Sequence, residues 1–351
     1  NKSWEEWLKL VKVFDRLGKQ GIVGIMSSPD EEFRYVFKIS QYINYLVQHE
    51  MTVINGLNEI ANYCPHFCKG VGAILADVNP TVVRSGNPFE NLGKHVIEKE
   101  VLLMEHLEKS YKFYNYIKNK NVNESVLYSI VKQTLLGISI AQRKKKFTHY
   151  DLHSNNIMLK KCSKDLVFLY VLDENNQFAV STRGYYPIII DYGFSYIDNF
   201  KGGPLWQTFS YTDVGFTSTE FDPIADMKLF MIICADEINK HRGSKLSRTL
   251  YNISKNVFRK LNVQWDSGWD NVDGTVSDKV ILKLEPVMKN SILFSDYEHY
   301  CLDIIQTLII QPLKPIKTKD LYISFNAFIQ EFQKIEQQIS TPFYLLYILK
   351  G

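Results

Sequence analysis

The spacing of apolar and polar positions changes character several times along the chain, and each change marks an element. At the start, SWEEWLKLVKVF places Trp4, Trp7, Leu8 and Val11 on one helical face and sets Ser3 and Glu6 at capping-box distance, which predicts a helix. From Gly18 the apolar runs shorten. GIVGIM and RYVFKIS, separated by Ser27, Ser28, Pro29 and Asp30, predict two strands joined by a turn. Ile43, Leu46, Val47, Ile54, Leu57 and Ile60 then recur at helical intervals over about 41–61. Strand-like runs return at GVGAIL, from Gly70, and at HVIEKEVLLMEHL, from His95, on either side of a loop rich in Pro, Gly and Asn. The first hundred residues thus predict a small mixed sheet with one main helix.

After Leu107 the period is mainly helical, first in KFYNYIKN and then from Glu124 to Lys145, where Val126, Ile130, Val131, Leu135, Leu136 and Ile138 line one side. One β interlude follows: LVFLYVL, a turn at Glu174, Asn175 and Asn176, QFAVST, and YYPIIID. Beyond Pro223 the helical pattern resumes and ends in AFIQEFQKIEQQI. The expected class is α+β: an N-terminal helical extension over 1–16, a β-rich unit over 17–104, a connecting segment at 105–111, and a larger, mainly helical unit over 112–351. That unit carries an inserted β-hairpin near 165–184.

Composition narrows this picture only a little. At 351 residues, 45% of them apolar and 23% charged, the chain reads as an ordinary globular protein. A formal net charge of +3 gives no reason to expect nucleic acid as a partner. The one basic cluster, Arg143 to Lys146, reads as a helix end whose cations complement the carbonyl dipoles. Five scattered cysteines form no disulfide framework, which favours a reducing, intracellular compartment. Cys64, His66 and Cys68 lie close together in YCPHFC, but no second pair completes a structural zinc set. No run is long enough for a membrane span, PFYLLYILK at Pro342–Lys350 included, and no signal peptide is visible. The chain starts at Asn1 rather than methionine.

Two segments carry the chemistry: THYDLHSNNIML, from Thr148, and PIIIDYGFSYI, from Pro187. Each sets an Asp beside a β-like run. Phosphoryl transfer needs such a pair, one carboxylate to orient and deprotonate the attacking hydroxyl and hard oxygen ligands for the metal that neutralises phosphate. HYDLHSNN resembles the protein-kinase catalytic loop H-R-D-L-x-x-x-N, and DYG resembles D-F-G. The resemblance implies a bilobal protein-kinase-like fold and ATP as phosphoryl donor. It makes Asp151, after His149, the catalytic base, and Asn156 and Asp191 the ligands of Mg²⁺, with Mn²⁺ as an alternative. Tyr192 takes the Phe place and Gly193 the turn.

The rest of the resemblance extends over about 17–315. Lys38 in YVFKIS fits the strand lysine that reaches the α and β phosphates, with Glu50 as its partner, only 12 residues on, and Glu59 as the fallback. LGKQGIVGIM matches the glycine-rich phosphate loop imperfectly: Gly21 and Gly24 are in register, Gly18 is one residue early, and Lys19 stands where the first glycine belongs. VLLMEHL resembles the strand entering the kinase hinge, with Met104 beside adenine and the backbone of Glu105 and Leu107 bonding the base. Asp226 in FDPIADMKLFM would brace the catalytic loop. CLDIIQTLIIQPLKP resembles a late helix of the larger lobe.

Departures from the pattern are as informative. Tyr150 replaces the Arg that pairs with a phosphorylated loop, so activation by that route is not expected. His153 stands where protein kinases commonly carry Lys; its D-L-H wording resembles haspin-like and aminoglycoside-type kinases, and its charge would change near neutral pH. No A-P-E is present, Glu220 in STEFDPIAD being a poor surrogate, which puts ordinary peptide recognition in doubt. The 35 residues from Asn156 to Asp191 exceed the usual hairpin and accommodate the insertion. Richness in Asn, Lys, Ile and Tyr resembles kinases of large DNA viruses, for which host cytoplasm or virion would be the location. The leading expectation is an atypical serine/threonine protein kinase with a protein substrate. The alternatives are a small-molecule kinase of aminoglycoside or choline type, and a nucleotide-binding pseudokinase.

Overall fold

Alternating apolar positions in the first hundred residues build a five-stranded antiparallel sheet: β1 (Lys9–Val13), β2 (Gly21–Ser27), β3 (Arg34–Ser40), β4 (Gly70–Val78) and β5 (Ile97–Glu105) in the order β1-β2-β3-β5-β4. The computed structural model describes residues 3–14, 21–40, 45–79, 86–90, 96–119, 123–172, 177–199, most of 221–252, and 348–350. A mixed sheet was the expectation, and every pairing in it is antiparallel. The reason is topological. The helix after β3, α1 (Tyr45–Asn58), leads to the edge strand β4, and β5 folds back between β4 and β3.

The sheet has two different faces. Val36, Leu102 and Met104 pack with Val47, Val53, Ile54 and Leu57 of α1 into the main core. On the other face Phe37, Ile39, Val101 and Leu103 close over Leu8 and Met26, with Trp4 and Phe89 at the margin. The helix expected over 1–16 is not what forms. Trp4–Glu6 make a single 3-10 turn, Ser3 provides no side-chain cap, and the chain then enters β1. Leu8, Leu10 and Val13 fit a strand once the irregularity in pairing between Leu10 and Lys12 is allowed for, and this leaves Val11 exposed. Tertiary pairing with β2 overrides a short helical pattern.

Gly24 is explained by this packing. A Cβ there would lie 2.3 Å from the Lys12 carbonyl oxygen and 2.5 Å from the Phe37 ring. We expect Gly24→Ala to destabilise the fold by about 1–3 kcal/mol, read as a lower urea midpoint; an unchanged midpoint would show that β1 yields freely.

Downstream come β6 (Ser110–Lys112), α2 (Phe113–Lys118), α3 (Glu124–Lys145), β7 (Ile157–Lys161), β8 (Val167–Val171), β9 (Gln177–Ser181), β10 (Tyr185–Ile189), α4 (Ala225–Arg242) and β11 (Ile348–Lys350). β10, β7 and β6 form a second antiparallel sheet, while β8 and β9 form a hairpin that β11 joins in parallel. Asn123 caps α3 by accepting from Ser125 N–H, and Lys146 ends it in the left-handed conformation. The basic cluster at that end is engaged locally. Arg143 donates to the Leu172 carbonyl, Lys145 pairs with Glu59, and Lys146 lies 3.5 Å from Asp198.

The hairpin is part of the core, with Phe168, Tyr170, Leu172 and Val180 all buried in it. His66 is the anchor. Its Nδ1 meets the Pro187 carbonyl at 2.9 Å, its Nε2 meets Tyr170 Oη at 2.7 Å, and its ring stacks on Tyr170. Burial pushes the His66 pKa down to about 4 and the Cys64 thiol up to about 12. With both ring nitrogens engaged, YCPHFC is a packing motif. No helix among the described residues is long and apolar enough to cross a membrane. AFIQEFQKIEQQI and CLDIIQTLIIQPLKP lie outside the described residues.

Candidate active site

Side chains on a strand alternate faces, and this puts Lys38 on the α1 side of β3 while Phe37 and Ile39 point away. Its ammonium lies 2.8 Å from Glu50 Oε2 and 2.7 Å from Asp191 Oδ1, and both Lys38 and Glu50 are buried. Glu50 also accepts the Tyr192 backbone N–H at 3.1 Å, so one α1 carboxylate ties the strand lysine to the DYG segment. Glu59, the fallback partner, is engaged elsewhere, by Lys145 and Asn199.

Burial alone would lower the Lys38 pKa, but the Asp191 and Glu50 carboxylates outweigh it and hold the ammonium charged. Burial likewise raises Asp191, yet Lys38, with smaller help from His149 and His153, brings it below the ordinary carboxylate value. For Glu50 burial prevails over Lys38, and the net shift is upward. Buried ion pairs of this kind contribute little net stability, so their presence argues for a task.

A second group forms around Asp151. The Asn156 amide donates to Asp151 Oδ2 at 2.9 Å and to the Asp151 carbonyl at 3.0 Å, and His153 Nε2 lies 3.5 Å from Asp151 Oδ1. His153 Nδ1 accepts the Asn155 N–H, so the neutral ring carries its proton on Nε2, toward Asp151. Below this loop, the buried Asp226 carboxylate accepts the N–H groups of His149 and Tyr150 at 2.7 and 2.9 Å. His149 Nε2 donates to the Ile190 carbonyl, and the Ile190 N–H donates to the Asn156 carbonyl. These bonds join the two groups. Tyr150 and Asp191 both adopt left-handed backbone conformations, with φ of 63° and 67°, the kind of strain that collects at functional sites.

The remaining sequence-predicted residues are placed as follows. Gly18 and Glu220 lie outside the described residues. Gly21 pairs with Ser40 at the end of β2, on the Lys38 face, whereas Gly24 pairs with Phe37 on the opposite face and is required there by packing. Met104 is buried at the end of β5. The Glu105 N–H donates to the Lys69 carbonyl, and the Leu107 carbonyl accepts from Ser110 Oγ. Tyr192 uses its hydroxyl internally, donating to the Ile189 carbonyl and accepting the Cys68 N–H. Tyr150 packs with Leu229 and Ile233 of α4 and with Phe194 and Tyr196.

No protein-family model matches the chain. The proteins it resembles are viral. "Uncharacterized protein 038R" of Invertebrate iridescent virus 3 is 28% identical over 328 residues, which cover 88% of this chain and 59% of that protein. "Uncharacterized protein 098R" of Invertebrate iridescent virus 6 is 26% identical over 381 residues, 96% of this chain and 63% of that protein. "Probable kinase 098L" of Invertebrate iridescent virus 3 is 27% identical over 235 residues, covering 66% of this chain and 39% of that protein. The chain spans about three fifths of the length of the first two.

Sequence reasoning missed three contributors. His49, beside Glu50, binds the Ser195 carbonyl through Nε2 at 2.8 Å, and Ser195 Oγ donates to the His149 carbonyl. Glu237 lies 11 residues after Asp226, three turns along α4 on the same side, and faces Ser154 and His153. That helical spacing was the available signal for Glu237; for His49 and Ser195 there was none. Burial pushes the His153 pKa down, but Asp151, then Glu237 and Asp191, raise it above 6.5. A raised histidine stabilises the fold below its ordinary pKa and loses that contribution as pH rises through the folded value. The stability advantage of wild type over His153→Gln should therefore be largest near pH 6 and shrink above about pH 6.5, measured as urea midpoints across pH. A pH-independent difference would remove the Asp151–His153 coupling.

Proposed function

We propose that this chain is an ATP- and Mg²⁺-dependent phosphotransferase of bilobal, protein-kinase-like plan, transferring the γ-phosphate to a serine or threonine hydroxyl of a protein. The observation that carries the reading is the joint placement of Lys38 on Glu50 and Asp191, next to an Asp151 held by Asn156. The similarity to a protein named a probable kinase supports the same class of chemistry. In this plan residues 17–104 form the smaller lobe, 105–111 the hinge and 112–351 the larger lobe.

The residues fit the metal that the plan requires. Asp191 gives Oδ1 to Lys38, which leaves Oδ2; Asn156 gives its nitrogen to Asp151, which leaves its carbonyl oxygen. Two hard oxygens suit Mg²⁺, which keeps water and phosphate oxygens in its shell, and among the described residues no denser cluster of His, Cys, Asp and Glu is present. Two carboxylates, Glu50 and Asp191, share the one Lys38 ammonium, so added positive charge beside them is favoured. Bound Mg²⁺ would supply neutralisation of the phosphate oxygens.

Lys38 orients the donor's phosphates, and Glu50 keeps Lys38 extended toward them. Asp151 receives the acceptor hydroxyl's proton, its free rotation removed by Asn156. His153, with its Nε2 3.5 Å from the other Asp151 oxygen, helps to fix the orientation of that carboxylate.

Incubation with γ-labelled ATP and Mg²⁺, in parallel against a protein mixture and a metabolite mixture, tests the reading. Label should appear in protein. Label confined to a metabolite would move the assignment to a small-molecule kinase, and nucleotide binding without label in either would make the chain a binding module.

A further inference from the structure

α1 does more than carry Glu50. Along its length it is joined to the segment 191–199, which runs beside it from the DYG turn onward. Glu50 takes the Tyr192 N–H, His49 binds the Ser195 carbonyl, and at the far end Glu59 receives Asn199 Nδ2 at 3.3 Å and the Lys145 ammonium. The opposite edge of the segment is bonded too. Tyr196 and Thr148 exchange both backbone bonds, at 2.7 and 3.0 Å, and Asp198 N–H donates to the Lys145 carbonyl at 2.9 Å. The segment is thus a strip held between α1 and the 145–149 stretch.

The closest point of this seam is steric. Gly56 lies in the interior of α1, where glycine is unfavourable relative to alanine, so its presence needs a reason. A Cβ at 56 would stand 2.5 Å from Cδ1 of the buried Ile197 and 3.1 Å from Asn199 Cγ. The helix forgoes a methyl so that the segment can lie against it. Aromatic packing completes the arrangement, since Tyr150 with Leu229 and Ile233 covers Phe194 and Tyr196.

We infer that Gly56 and Ile197 are a positioning pair: their fit seats α1 on the 191–199 strip and so sets the Lys38–Glu50–Asp191 geometry. The inference rests on the phosphotransferase reading for its effect on rate, and on geometry alone for its effect on the strip. Neither residue touches Lys38 or Asp151; both act through α1.

The test uses a matched pair of substitutions. Gly56→Ala suits the helix backbone and should fold, but its new methyl meets Ile197 Cδ1. Ile197→Val removes that atom. Gly56→Ala should lower kcat about tenfold relative to wild type with a raised KM for ATP, within the roughly 10²-fold that a misplacement of order 1 Å can cost. Gly56→Ala/Ile197→Val should recover to within about twofold of wild type. Hydrogen exchange gives the readout that does not depend on activity: the Tyr196 and Asp198 amides should exchange faster in Gly56→Ala and slow again in the double variant. If wild type transfers nothing, the phosphotransferase reading fails while the exchange data still decide the seam. A Gly56→Ala protein that matches wild type in exchange, or a double variant no better than the single, would overturn the positioning role.

Discussion

Asp151→Asn should lower the rate of phosphate transfer by about 10²- to 10⁴-fold while nucleotide affinity stays close to that of wild type. The substitution keeps the shape and the contact with Asn156, so what it removes is the basic oxygen. Asn156 donates to Asp151 Oδ2 at 2.9 Å, and an amide oxygen can accept that bond in its place. The new NH₂ would then point toward His153 Nε2, which in its neutral form carries a proton, so some rearrangement of His153 is expected as well. Single-turnover transfer and equilibrium nucleotide binding, measured on the same preparation, separate the effects. Transfer at the wild-type rate would remove Asp151 from the base role, and loss of nucleotide binding would make it a structural residue instead.

Asp226→Ala should have the larger effect on stability, about 2–5 kcal/mol, because two buried backbone N–H groups, those of His149 and Tyr150, lose a charged acceptor together. The consequence does not stop at stability. Tyr150 holds φ at 63°, a conformation that a tyrosine does not favour and that the Asp226 carboxylate helps maintain. Releasing it would let the loop relax and carry Asp151 away from its setting. Urea unfolding should show the lowered midpoint, and transfer measured well below that midpoint should remain depressed. A variant as stable as wild type would mean that water replaces the carboxylate without loss.

These residues were legible in the sequence to different degrees, and the difference follows the range of the interactions. Asp151, His153 and Asn156 lie within six residues of one another, and a short loop whose spacing is fixed locally leaves little freedom in how they meet. Lys38 was legible from strand alternation. Glu50 was the expected partner of Lys38 and Glu59 the fallback; Glu50 lies inside α1, whereas Glu59 falls one residue past its end and pairs with Lys145 and Asn199. The N-terminal helix was misread because an apolar pattern with one irregular position fits a bulged strand as well as a helix. Gly24 was read as an approach to phosphate when it records the approach of β1 and Phe37. His49, Ser195 and the Gly56–Ile197 contact join stretches more than a hundred residues apart, and no pattern internal to either stretch announces them.

The β8–β9 hairpin entered the sequence reading as an excess of length between two motifs. In the fold it supplies Phe168, Tyr170, Leu172 and Val180 to the main core, and the Tyr170 hydroxyl completes the bonding of His66. Pro187, which accepts from the other nitrogen of that ring, lies on β10, two residues before the strand ends and four before Asp191. An ornament can be trimmed, but this hairpin has become masonry. A shortened chain that joined Cys162 directly to Tyr185 would lose a wall of its interior and the stacking partner of His66 in one excision, so any attempt to pare this protein to a minimal fold has to leave the hairpin standing.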